Sequence, residues 1–101
     1  MFYLYILYSE RTNKYYIGHS EDPWERVMHH NTDDKTTYTA KYRPWKISAV
    51  FEAGATRAEA LSIERFIKKQ KSRNLIEELV DPGFVPTERL AQLVRVPHVR
   101  D

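Results

Sequence analysis

Residues 2 to 20 read FYLYILYSERTNKYYIGHS, two aliphatic and aromatic runs joined by a polar turn. Alternation along the first run places Phe2, Leu4, Ile6 and Tyr8 on one side and Tyr3, Tyr5 and Leu7 on the other, so two ring hydroxyls share a face. SERTNK supplies the turn, and KYYIGH is the returning strand of a hairpin, with Tyr16 and Gly18 on a common face. Gly18 is anomalous there. A glycine inside a strand loses packing and adds chain entropy, so it is expected at a bulge or where another group must come close.

The hairpin is followed by DPWE, in which Asp22 caps, Pro23 suits the first helical position and Glu25 closes a capping box. The spacing predicts a helix from Pro23 to Asn31 with Trp24, Val27 and Met28 as its apolar stripe. Arg26 and His30, four apart, neighbour each other on another flank. NTDDKTTYTAKYRPW has no clear period and reads as a loop. KISAVFE is then a third strand, with Ile47, Ala49 and Phe51 on one side.

TRAE, Thr56 to Glu59, is a second capping box and opens a helix reaching Lys71. Ala60, Leu61, Ile63 and Ile67 mark its buried stripe. Glu64 falls inside that stripe, where a carboxylate is costly unless it is paired, hydrogen-bonded or bound to metal. A short helix from Arg73 to Leu79 follows, and DPGF ends the pattern. The remaining residues carry three of the five prolines and one helical turn near Thr87 to Leu93. The expected fold is α/β (α+β): a small three-stranded antiparallel sheet flanked by helices, in the order β-β-α-β-α-α. Residues 1–80 form the domain, and residues 81–101 are a tail rather than a second domain.

A chain of 101 residues suits one core, and with 42% hydrophobic residues it has the material for one. The absence of cysteine excludes disulfides and thiolate metal sites, and the expected compartment is the reducing cytoplasm. MFYLYILY lacks a basic leader and is far shorter than the roughly 20 residues of a membrane span, so no membrane role is expected. His19, His29 and His98 do not have the spacing of a closed zinc site.

The net charge of +2 says little, but its distribution says more. RFIKKQKSR, Arg65 to Arg73, holds five cations and no acid, and Lys41, Arg43 and Lys46 form a second cluster. Each reads either as a solvated face or as a phosphate-binding one. Tyr38, Tyr42 and Trp45 interleave with the second cluster, as in a groove that stacks bases and neutralises backbone, although Trp45 equally suits a core anchor.

Taken together, YLY at Tyr3 to Tyr5, YIG at Tyr16 to Gly18, Arg26, His30 in RVMHHN and Glu64 in ALSIERFIKKQK resemble the GIY-YIG nuclease family over about residues 2 to 79. The likeness is greatest to small stand-alone bacterial members, and the domain also occurs in the excinuclease C subunit. The first triplet lacks the family's initial glycine.

The resemblance implies a metal-dependent DNA endonuclease hydrolysing phosphodiester bonds, with Mg²⁺ or Mn²⁺ held by Glu64 and no small-molecule cofactor. Arg26 would contact the scissile phosphate, and the hydroxyls of Tyr5 and Tyr16 would surround the attacking water. Either Tyr5 or His30 would take the proton. Gly18, Lys41, Arg43, Lys68, Lys69 and Lys71 would contact nucleic acid, with Gly18 admitting a DNA backbone or a helix. Without a visible base-reading module, selectivity for shape is expected, favouring branched, nicked or damaged DNA in repair, recombination or defence. A homodimer is one arrangement that would cut both strands. The alternative is a non-catalytic nucleic-acid-binding or repair-complex docking module on the same fold.

Overall fold

The computed structural model describes residues 1–32 and 37–97. His98 and the side chain of Tyr38 lie outside the described residues. The hairpin is present as β1 (Phe2–Ser9) and β2 (Lys14–Ser20), in a register that sets Tyr5 opposite Gly18 and Ile6 opposite Ile17. Its turn is closed by Asn13 at φ 57°, whose N–H donates to Ser9 O at 2.7 Å. Asparagine is one of the few residues that tolerates this left-handed conformation.

Helix α1 (Pro23–Thr32) begins under Asp22, whose Oδ1 accepts from Glu25 N at 3.1 Å. A single helical turn, α2 (Thr37–Ala40), then precedes β3 (Lys46–Gly54). Two further helices, α3 (Arg57–Gln70) and α4 (Arg73–Val80), are followed by a 3₁₀ turn at Glu88–Leu90 and a two-residue strand, β4 (Val94–Arg95).

Three expectations need correction. The sheet has four antiparallel strands in the order β2-β1-β3-β4, not three. The extra strand is too short to show alternation, and its place comes from tertiary contacts: Val96 N donates to Val50 O at 2.8 Å, and Leu90 and Leu93 are buried in the main core. The segment read as a loop contains α2, which is anchored rather than free. Trp45 is buried, and its indole N–H donates to Thr39 O at 2.8 Å. Asn31 grips the Trp45 backbone from both sides, donating to its carbonyl and accepting from its N–H. Trp45 is therefore a core anchor.

Both faces of β1 are covered. Leu4 and Ile6 pack with Ile17, Phe51, Ile63 and Ile67 beneath α3 and α4. Tyr5 and Leu7 pack on the other side with Val50 and Trp45, and Val27 and Tyr42 close over them. The alternation expected along β1 is thus realised as two separate cores.

The expected apolar stripe of α1 is not its inner face. Trp24 is 39% exposed and Met28 54%, while Pro23 and His30 are buried and Val27 is half-buried. The buried line Pro23, Val27, His30 has a helical i, i+4, i+7 spacing, with a polar residue at its end. That end lies against Tyr5.

Candidate active site

Strand β2 forms one edge of the sheet, and the site lies where that edge meets both helical layers. Tyr5 and Tyr16 come from the α1 side and His19 from the α3 side, because residues 16 and 19 fall on opposite faces of β2. A cavity of about 410 Å³ opens there between Tyr5, Tyr16, Gly18 and Ser20 of the hairpin, Arg26 of α1 and Glu64 of α3. His19 and Arg57 complete its wall.

Gly18 explains how Tyr5 reaches this edge. A Cβ built at position 18 would stand 2.4 Å from the Tyr5 hydroxyl and 2.6 Å from the ring carbon bearing it. The phenol lies across the bare backbone of its cross-strand partner, so the group that comes close at Gly18 is Tyr5 rather than a helix. Any side chain there would collide with the phenol unless one of the two shifts.

Behind the phenol, Tyr5 Oη and His30 Nε2 share a hydrogen bond of 3.0 Å. His30 is 1% exposed, and its Nδ1 is buried with no partner among the described residues. Burial, reinforced by the nearby charges of Arg26, His29 and Arg43, holds its pKa down to about 4. Protonation would also leave a charged N–H unsatisfied. His30 is therefore neutral near pH 7. Burial likewise drives the Tyr5 phenol well above its ordinary value, with Tyr16 and Glu64 adding to the rise and Arg26 opposing it. Arg26 faces the cavity, and His30 sits behind Tyr5.

Glu64 is almost as enclosed, at 12% side-chain exposure, and both of its oxygens are occupied. His19 Nδ1–H donates to Oε1 at 2.6 Å and Lys68 Nζ donates to Oε2 at 2.6 Å. Arg57 Nη1 stands 3.4 Å from His19 Nε2. A guanidinium can only donate, so Nε2 carries the lone pair and Nδ1 the hydrogen that Glu64 accepts. These contacts relieve the carboxylate that looks anomalous in the apolar stripe. Helix α3 is itself set by its capping box, with Thr56 Oγ1 accepting from Glu59 N and Glu59 reaching back to Thr56 N.

The other expected contacts scatter. Lys68 joins the site through Glu64 and also stands 5.5 Å above the Tyr16 ring. Lys69 and Lys71 lie at the end of α3, outside the cavity. Arg43 donates to the His30 carbonyl at 2.7 Å, and the Lys41 carbonyl accepts from Arg11. His19 and Arg57 are the residues that sequence reasoning missed. The available signal was alternation: the residue after Gly18 points to the opposite face, toward the helix that bears Glu64.

Glu64 is the sole carboxylate lining the cavity, and the described residues contain no cluster of three or more metal-ligating side chains. A donor set of this kind does not make a closed metal cage. It would fit a hard divalent cation that keeps most of its waters and takes further oxygens from a bound phosphate, with Lys68 giving up Glu64 Oε2 to it.

The edge of the sheet thus gathers tyrosine hydroxyls, an arginine and an enclosed glutamate in one open cavity. Over residues 1–77 the chain matches the GIY-YIG catalytic domain, and it belongs to that family. It is 36% identical over 74 residues to the structure-specific endonuclease subunit SLX1 of Meyerozyma guilliermondii, a match that covers 68% of this chain and 25% of that protein. The chain thus spans about a quarter of that relative. It is also 30% identical over 89 residues to the UPF0213 protein in ldhD 5′ region of Pediococcus acidilactici, covering 85% of this chain and 88% of that one.

Proposed function

We propose that the protein is a divalent-metal-dependent DNA endonuclease that selects its substrate by structure rather than by sequence. The observation that carries this reading is the convergence of Tyr5, Tyr16, Arg26 and Glu64 on one cavity at the edge of β2. The relative described as a structure-specific endonuclease subunit supports the choice of structured DNA, such as branched or nicked duplexes.

Arg26 binds the scissile phosphate. Its planar fork of donors matches two phosphate oxygens and stabilises the charge that grows on them as the bond to the leaving oxygen breaks. Glu64 would hold Mg²⁺ or Mn²⁺, which supplies charge neutralisation at the phosphate oxygens when bound. His19 positions Glu64 through its Nδ1–H.

The attacking water donates a hydrogen bond to Tyr5 Oη, while the Tyr5 O–H donates to neutral His30 Nε2. Burial makes Tyr5 hard to ionise and holds the His30 pKa down to about 4, so the pair orients the water through the Tyr5 hydroxyl rather than taking its proton. Tyr16 borders the same space and helps to orient the water.

Incubating plain, nicked, flapped and branched duplexes with Mg²⁺ or Mn²⁺, alongside the Glu64→Ala variant, tests the reading. Metal-dependent cutting of the structured substrates, lost in the variant while DNA binding persists, is the expected result. A variant that cuts as well as the parent would overturn the assigned site. Salt-sensitive binding without cutting by the parent would leave a nucleic-acid-binding module.

A further inference from the structure

We propose that a second cavity beside the catalytic one is a subsite for a backbone phosphate of the same DNA, adjacent to the scissile phosphate, with Lys14 and Lys71 as its contacts. The proposal rests on the endonuclease reading above and specifies where the DNA runs as it leaves the site.

This cavity, of about 500 Å³, lies between β2, the end of α3 and the start of α4. Tyr16 lines both it and the catalytic cavity, so the two meet at that ring. The ion pair between Lys68, which lines the second cavity, and Glu64, which lines the first, forms the rest of the partition. Lys14, Lys68, Lys71 and Arg73 face the second cavity, and its lining contains no acid. A third cavity, of about 570 Å³, continues round the end of α3. It shares Lys68 and Lys71, adds Arg65 and Lys69, and is also free of acids. Three connected concavities thus lead from the catalytic pocket along one basic surface. A polymer with a charge at every repeat suits this arrangement better than a single small anion does.

The four cations are not equivalent. Lys68 is committed to Glu64, and Arg73 to Glu77 and to the Asn13 side chain and carbonyl. Among the described residues neither Lys14 nor Lys71 has a carboxylate partner; Lys14 lies 5.4 Å from the Tyr42 ring. Lys71 also occupies the left-handed cap of α3, at φ 47°, a position where glycine is the unstrained choice. A long cation at that corner and a lysine on the facing strand border one cavity, into which the phosphate would fit.

The test is equilibrium binding of a fluorescein-labelled flapped duplex to metal-free protein in EDTA, by anisotropy across a salt series. Neutralising both lysines, K14Q with K71Q, should reduce the slope of log K against log salt by about 0.7–0.9 per lysine, or roughly 1.4–1.8 in total. The charge-preserving pair K14R with K71R should keep the parent slope. Lys46→Gln, which removes an exposed lysine paired with Glu10, should leave it unchanged. Circular dichroism establishes that each variant is folded. Unchanged affinity and slope in the glutamine pair, with a parent that binds and cuts, would overturn the subsite while leaving the endonuclease reading standing. An equal loss in the arginine pair would also overturn it, by showing that shape rather than charge was disturbed. A parent that neither binds nor cuts the duplex at any salt would overturn both.

Discussion

Gly18 and His30 act on opposite sides of one phenol. A methyl group at position 18 would come within 2.4 Å of Tyr5 Oη, and Tyr5 is 1% exposed and tied to His30, so it has little freedom to retreat. Gly18→Ala is expected to cost about 1–3 kcal/mol in urea denaturation, the usual penalty of overpacking, and to lower the cutting rate by displacing the hydroxyl. His30 adds a pH dependence. Its folded pKa of about 4 lies below the unfolded value of 6.5, so between the two the unfolded chain takes up a proton that the folded chain excludes. Its contribution to stability is full above about pH 6.5, declines as the pH falls toward 4, and changes no further below that. Thermal unfolding across this range should show the melting temperature falling with pH, by the equivalent of about 3 kcal/mol at most. In His30→Gln that portion of the slope should disappear.

At the scale of elements, the site depends on an edge strand and a well-capped helix. Strand β2 brings Tyr16, Gly18 and His19 to a boundary where side chains of both layers meet, which a central strand covered on both faces would not allow. Helix α3 brings Glu64 to that boundary from the other layer, in a rotational setting fixed by buried Ala60, Ile63 and Ile67. Its N-terminus is held by the Thr56 and Glu59 exchange. Gly54 belongs to the same corner: its φ is 153°, and a Cβ there would stand 2.7 Å from the Glu59 side chain. Thr56→Ala should therefore destabilise the fold by about 1 kcal/mol in chemical denaturation. Cutting well below the melting temperature should change little, because the buried stripe still sets the register of Glu64.

Across the whole molecule, the segment after α4 is part of the core rather than an appendage. Leu90 and Leu93 are 6% and 5% exposed, in the same cluster as Leu4, Ile6 and Phe51. Arg95 reinforces the closure by donating to the carbonyls of Leu79 and Asp81, and Gln92 by donating to Ala53 O. At about 1.5–3 kcal/mol for each buried leucine, ending the chain after Pro86 should remove roughly 3–6 kcal/mol. That is a large fraction of the 5–15 kcal/mol typical of a domain. A much lower urea midpoint for the truncated chain, with a smaller denaturant slope, is the expected result.

The elements legible in the sequence were those whose cause is local. Alternation marked β1 and β2, capping boxes marked the starts of α1 and α3, and Glu64 declared itself by sitting in the apolar stripe of α3. These signals depend on each residue's own chemistry and on neighbours a few positions away. What only the tertiary structure decided depends on residues far apart in the chain. Strand β4 exists because distant leucines find the core, and α1 turns Trp24 outward because His30 must reach Tyr5. Gly18 makes room for a side chain thirteen positions earlier, and His19 holds a carboxylate forty-five positions later. Hydrophobic periodicity specifies which face of an element is buried, but not which partner meets it. That pairing follows from strand register and helix placement, which only the assembled sheet and its two covering layers determine.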